Sequence, residues 1–174
     1  MGSAIEWAGD PVSFRPATGE RIDEVLGVLD EAGGWLHARG ITTQWPTRFD
    51  PAWVAGDIAR GETWLVSVGG ELSGTVTLNW SDALWTDLGG EAGYVHRLAV
   101  RRRARGLGGL ILDWAGERAA RHGADALRLD CVAHNPALRA YYEGQGFTHR
   151  GDAPGQWGEA PPVWLSRYER PSAR

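Results

Sequence analysis

Residues 94–100 read Y-V-H-R-L-A-V, and residues 101–110 continue R-R-R-A-R-G-L-G-G-L. L-R-L-D-C follows at 127–131, and N-P-A-L-R-A-Y-Y-E-G-Q-G-F at 135–147. A short apolar strand enters an Arg/Gly-rich turn that opens a helix. A second strand follows, then a short helix carrying paired tyrosines. That order suits a bulky, phosphate-bearing ligand whose reactive end lies between two strands.

The turn carries its own chemistry. Glycines let backbone N–H groups approach a ligand with no Cβ in the way. The start of a helix leaves several N–H groups without partners, and its dipole favours an anion. Arg101, Arg102, Arg103 and Arg105 add charge with the planar fork that suits phosphate. No G-K-[ST] follows, so this is not a P-loop. G-L-G-G-L-I lacks the third glycine of a dinucleotide fingerprint. A Gly-rich turn beside solvated arginines remains the purely structural alternative.

Working outward, residues 106–122 form a helix with Leu107, Leu110, Ile111 and Trp114 on one side. Strands are predicted over 94–100 and 127–132, and a helix over 136–144. Upstream, a first strand covers 12–15 and a helix 21–38, weakened by Gly33-Gly34. Asp50-Pro51 starts another helix, with Asp50 as cap and Pro51 in the first turn. Strands over 63–68 and 73–80 flank a Gly69-Gly70 hairpin turn. Strands over 147–150 and 163–168 close the chain around a loop containing Trp157. The fold class is α/β (α+β): a mixed central sheet with helices on both faces. The first ten residues are expected to be a flexible terminus, and 11–174 a single domain.

Composition narrows the function. All 18 basic residues are arginine, yet the net charge is -4, which excludes a general nucleic-acid binder. Cys131 is the one cysteine, so no internal disulfide and no Cys-rich zinc site forms, and no metal site is expected. No apolar run reaches membrane-spanning length and no export signal opens the chain. A reducing cytoplasm is the expected location.

R-A-R-G-L-G at 103–108 resembles the R/Q-x-x-G-x-G/A signature of the GNAT superfamily of N-acetyltransferases. The preceding L-A-V and the later N-x-x-x-x-x-x-Y-E-x-x-G-F match as well. The first signature alone is weak; the combination in this order and spacing is specific. The resemblance implies a mostly antiparallel sheet, splayed between the fourth and fifth strands, and acetyl-CoA as donor. It places Leu98, Ala99 and Val100 against the pantetheine arm. It makes Arg103, Ala104, Arg105, Gly106, Leu107, Gly108 and Gly109 the pyrophosphate loop. Ala104 stands where many members have glycine. Asn135 matches a cofactor-contacting asparagine, and is equally suited to cap the helix that starts at Pro136.

Tyr142 matches the family tyrosine that faces the CoA sulfur. A phenol of ordinary pKa about 10 can donate to a departing thiolate. Tyr141 points about 100° away and is read as packing. The attacking amine must be neutral, which costs an alkyl ammonium roughly 4–5 kcal/mol at pH 7. Asp130, where some protein amino-terminal acetyltransferases carry a carboxylate, and His96, on the strand face of Tyr94 and Leu98, are both candidate bases. Cys131 reads as a buried spectator.

The acceptor side is expected among Trp35, His37, Gln44, Trp45, Trp53, Trp80 and Trp85, with Asp82, Asp87 and Glu91 nearby. Most of these tryptophans read as core; Trp45 and Trp85, in loops, are the pocket candidates. Aromatics with carboxylates hold cationic amines. The leading reading is acetyl transfer to a primary amine of a small molecule. A protein or peptide amino-terminal acetyltransferase and a non-catalytic acyl-CoA-binding module are the alternatives. The family analogy also admits a homodimer.

Overall fold

Gly69 and Gly70 both take left-handed backbone, at φ 58° and 85°, and turn β3 (Thr63–Val68) into β4 (Glu71–Asn79). That is the two-residue hairpin geometry which two glycines adopt without steric cost. The structure, a computed structural model, describes residues 4–155 and 161–173; Trp157 lies outside them. The remaining strands are β1 (Glu6–Trp7), β2 (Asp10–Pro16), β5 (Ala92–Val100), β6 (Ala126–Val132), β7 (Thr148–Gly155) and β8 (Val163–Pro171). The helices are α1 (Ile22–Ala38), α2 (Ala52–Ala59), α3 (Gly108–Arg121) and α4 (Pro136–Gly144). The strands follow the order β1-β2-β3-β4-β5-β6-β8-β7 in a mixed, mostly antiparallel sheet.

Two compact units share the chain. The first comprises the described residues up to Leu78 together with Arg97–Leu112. Its core is built by α1, which buries Val25, Val28 and Leu29 at helical spacing, with Phe49, Val54, Ile58 and Leu65. Each such side chain contributes about 1.5–3 kcal/mol on burial. Gly33 answers a packing demand: a Cβ there would stand 2.0 Å from the carbonyl oxygen of Pro46. The segment after α1 is tied to that same helix. Asp30 Oδ1 accepts the Phe49 N–H at 2.8 Å, and His37 Nε2 bonds the Trp45 carbonyl at 2.7 Å. Asp50 caps α2 as expected, accepting the Ala52 N–H at 2.9 Å. In the stretch expected to be a loose terminus, Glu6 and Trp7 pair with Pro11 and Asp10.

The second unit comprises Asn79–His96 and the residues from Asp113 onward. Here β6 pairs antiparallel with β8 over seven residues, and β8 pairs with β7. The last strand in sequence therefore inserts between its two predecessors. β5 and β6 run parallel, but their ladder covers only Ala92↔Ala126 to Tyr94↔Arg128, although both strands continue. These are the fourth and fifth strands anticipated from sequence, and their pairing stops where the family splay was expected.

Residues 82–89 are held by two buried arginines. Arg128 pairs with Glu169 at 2.7 Å and donates to the Leu88 and Gly89 carbonyls and the Tyr94 hydroxyl. Arg167 pairs with Asp87 at 2.6 Å and donates to the Leu84 carbonyl at 3.0 Å. Their guanidinium carbons lie 5.1 and 5.3 Å from the ring of Trp85. No described helix is long and apolar enough to cross a membrane.

Candidate active site

In the first unit, β5 leads through a 3-10 turn at Arg102–Ala104 to Gly106, at φ 103°, and α3 opens at Gly108. A residue with a Cβ is strained at that φ. The Ala104 N–H donates to the Arg101 carbonyl, the Leu107 N–H to Ala104, and the Ile111 N–H to Leu107. Among the described residues, the N–H groups of Gly106, Gly108, Gly109 and Leu110 have no main-chain acceptor. Four donors clustered at a helix head are the kind of group that attracts an anion.

The arginines serve differently from the sequence expectation. Arg101 pairs with Glu31, which also accepts the Arg102 N–H at 3.1 Å. The Arg102 guanidinium stacks 4.1 Å over Trp35, and Arg103 donates to the Leu72 carbonyl. Glu31, Glu71, Leu72 and the three arginines line an open groove of about 740 Å³. Arg101, Arg102 and Arg103 thus brace the turn, while Arg105 stays exposed. Leu98, Ala99 and Val100 lie at the end of β5, with Ala99 buried. Arg97 just before them takes φ 47°, uncommon for a non-glycine residue in a strand, and pairs with Asp57 of α2. The left-handed residue interrupts strand alternation, so the expected common face of Tyr94, His96 and Leu98 does not run unbroken past His96.

In the second unit, Asp82, His96 and Asp130 converge. One ligand atom from each lies within 4.8 Å of the other two, a spacing that could hold a cation between them. His96 Nε2 is 3.2 Å from Asp82 Oδ2. Burial opposes ionisation of Asp82, but bonds from His96 and the Leu84 N–H outweigh it and hold its carboxyl below the usual range. Burial pushes the Asp130 carboxyl up to about 6; His96 opposes that rise and the like charge of Asp82 adds to it. Sequence reasoning found His96 and Asp130 but gave Asp82 only a general place near the acceptor. The signal for it is weak: an aspartate just before a short turn, far in sequence from Asp130.

Tyr142 is buried on α4, its ring 6.0 Å from Phe147 and 6.2 Å from Tyr168. Burial raises its phenol above the ordinary value, and Cys131, Tyr141 and Asp130 add to the rise. It is a neutral donor at physiological pH. Tyr141, expected to pack inward, is instead one of the exposed large side chains, set edge-on to Tyr142. Cys131 is buried, and burial pushes its thiol up to about 12, Asp130 adding and Arg139 opposing. That excludes a thiolate nucleophile at neutral pH. Asn135 caps α4, its Oδ1 accepting the Leu138 N–H at 3.1 Å.

The two pocket candidates separate. Trp45 is partly buried, edge-on to Phe49 at 5.5 Å, and keeps an accessible face. Trp85 is 1 % exposed and flanked by Arg128 and Arg167. A ring so enclosed offers no wall to a substrate, so the sequence expectation for Trp85 is corrected. Its loop position concealed the buried arginines that claim it.

A sequence model of the Acetyltransferase (GNAT) family matches residues 33–147. The Bacillus subtilis (strain 168) protein described as uncharacterized N-acetyltransferase YesJ is 35 % identical over 152 residues, covering 80 % of this chain and 84 % of that protein. The GNAT-family acetyltransferase structure from Listeria monocytogenes 4b F2365 superposes with a TM-score of 0.78 at 24 % identity, over 97 % of this chain and 99 % of that one. The structure of yncA from Salmonella typhimurium with its cofactor acetyl-CoA superposes with a TM-score of 0.65 at 15 % identity, over 94 % and 95 %. The extent of the family match and the identity to the Bacillus protein establish that the chain belongs to the GNAT family and is an N-acetyltransferase.

Proposed function

We propose that the protein moves an acetyl group from acetyl-CoA directly to a primary amine of a small molecule. The observation that carries the amine chemistry is the cluster of Asp82, His96 and Asp130, whose ligand atoms lie within 4.8 Å of one another. The donor assignment is supported by the free N–H groups at the head of α3 and by acetyl-CoA in the structure of yncA. In this reading Gly106, Gly108 and Gly109 hold the diphosphate through main-chain donors, and the Asn135 side chain contributes what its cap role leaves over.

The ammonium first loses a proton to the His96–Asp130 pair. Neutral nitrogen then attacks the thioester carbonyl carbon, and the tetrahedral intermediate breaks its C–S bond. Tyr142 donates to the departing sulfur, giving the free thiol; of the two protons the nitrogen loses, one passes through the base to solvent and the other restores the phenol. The products are the acetamide, CoA and one proton. No metal takes part.

Trp45 is assigned to the acceptor wall. The assignment rests on its partly accessible ring; an acceptor entering as a chain terminus is the alternative supported by Asp130. The test is free-thiol release across a panel of amines and peptides. Release with small amines, and a Tyr142→Phe variant whose kcat falls at least tenfold with acetyl-CoA KM within about twofold, is expected. Release with peptides alone rejects the small-molecule acceptor. Binding without release favours a module that only holds acyl-CoA.

A further inference from the structure

We infer that Asp82 is a positioning residue for the base: it accepts the Nε2–H of His96, leaves Nδ1 as the ring's lone pair for the incoming ammonium, and leaves Asp130 to attract an amine that arrives positively charged. This rests on the amine-acetylation reading above and names its substrate class, a cationic amine.

The geometry supports each part. One oxygen of Asp82 accepts the Leu84 N–H at 2.8 Å and the other lies 3.2 Å from His96 Nε2. Both oxygens are committed, so the carboxylate is fixed in orientation. An ionised carboxylate only accepts, and the nitrogen that faces it therefore carries the proton. The turn that Asp82 caps ends at Trp85, the ring enclosed by Arg128 and Arg167. Trp85 thus acts at one remove: burying it anchors the residues that hold Asp82 in place. The same logic, a carboxylate fixing tautomer and stabilising the imidazolium, operates in Ser-His-Asp enzymes. Asp130, from β6, faces both partners. Cys131 and Tyr142, both neutral at physiological pH, also lie near Asp130, while its cross-strand partner Arg167 and its strand neighbour Arg128 are committed to Asp87 and Glu169.

The Asp82→Asn variant keeps the cap, because its amide oxygen can still accept the Leu84 N–H, and it sets an NH2 donor where the carboxylate oxygen faced His96 Nε2. Two readouts are taken on the full chain. Imidazole 15N shifts, assigned by comparison with His96→Gln, report the tautomer at pH 8 without any ligand. The wild type is expected to show the Nε2–H form, and Asp82→Asn the Nδ1–H form, because the amide NH2 donates to Nε2. The pH profile of kcat/KM is measured with whichever amine gives thiol release. Its acid limb should move to lower pH by about one unit, because one negative charge beside the titrating pair is lost. The plateau of kcat should fall roughly tenfold to a hundredfold, with acetyl-CoA KM unchanged. A purely structural role would lower kcat or stability and leave tautomer and limb where they were. An unchanged tautomer or an unmoved limb overturns the positioning role alone. A tautomer shift in a protein that releases no thiol from any amine overturns the proposed acceptor, and the base role with it.

Discussion

The adjacent glycines of α1 make a paired experiment with opposite expected signs. A Cβ on Gly33 would stand 2.0 Å from the Pro46 carbonyl oxygen and 3.1 Å from its carbon; a Cβ on Gly34 meets nothing within 4 Å. Ordinary C···O contact begins near about 3.3 Å. Gly33→Ala therefore requires backbone of one segment or the other to move by more than 1 Å, roughly. Overpacking of this kind costs about 1–3 kcal/mol or more, against a helix-propensity gain of about 0.5–1. The net loss is about 1 kcal/mol. Gly34→Ala collects the propensity gain alone and stabilises by about 0.5–1 kcal/mol. The two variants should differ by about 2 kcal/mol in urea unfolding, or roughly 6 °C in melting midpoint for a chain of this size. Asp30, Gly33 and His37 share the helix face that holds residues 45–49. Displacing that segment moves Trp45, so Gly33→Ala should also raise the acceptor KM while leaving that of acetyl-CoA alone. Equal stability of the two variants, or a Gly34→Ala protein weaker than wild type, would refute the close-approach argument.

Gly106→Ala places a Cβ at φ 103°, where it meets only Trp7 at 3.9 Å, so the cost is backbone strain of about 1–2 kcal/mol rather than a clash. Isothermal titration should show acetyl-CoA affinity falling about tenfold as the turn relaxes, and unchanged affinity would remove Gly106 from the donor site. Asp130 has a folded pKa raised from 3.8 to about 6. The folded state binds its proton more tightly, so the stability from this group is present below pH about 4 and is lost as pH rises to about 6, by at most about 3 kcal/mol. Asp130→Asn should therefore be more stable than wild type at pH 8 and should lack that pH dependence between 4 and 6, while losing turnover; a destabilised variant at pH 8 would contradict the assignment.

What was legible in the sequence was local. Asn135-Pro136 announced the start of α4, Gly69-Gly70 the β3–β4 turn, and the Gly-rich run the head of α3. Each rests on backbone physics within a few residues. Of the helix side read as Leu107, Leu110, Ile111 and Trp114, Leu107, Ile111 and Trp114 are buried and Leu110 is half-buried. What stayed hidden was non-local. Nothing near Trp85 in sequence shows that Arg128 and Arg167 will enclose it, since arginines usually read as surface. The insertion of β8 between β6 and β7 depends on pairing choices that hydrophobic pattern leaves degenerate. His96 and Asp130 were visible as residue types, but their meeting with Asp82 joins three separate stretches of chain. Arg97 hid the most simply: its left-handed backbone has no glycine to advertise it.

The buried charges divide by what surrounds them. Arg128 has Glu169, a tyrosine hydroxyl and two carbonyls; Arg167 has Asp87 and three carbonyls. Such groups are satisfied on nearly every donor and hold a loop in one place, which is a structural service. Asp130 is different. Among the described residues it has no hydrogen-bond partner, and its carboxyl is pushed towards neutrality. Asp130 is half-buried, so solvent reaches its carboxyl at rest; in the proposed reading an ammonium replaces that solvent with an opposite charge and donors. Arg128 and Arg167, bonded around residues 82–89, hold the loop that carries Asp82 in register for that exchange.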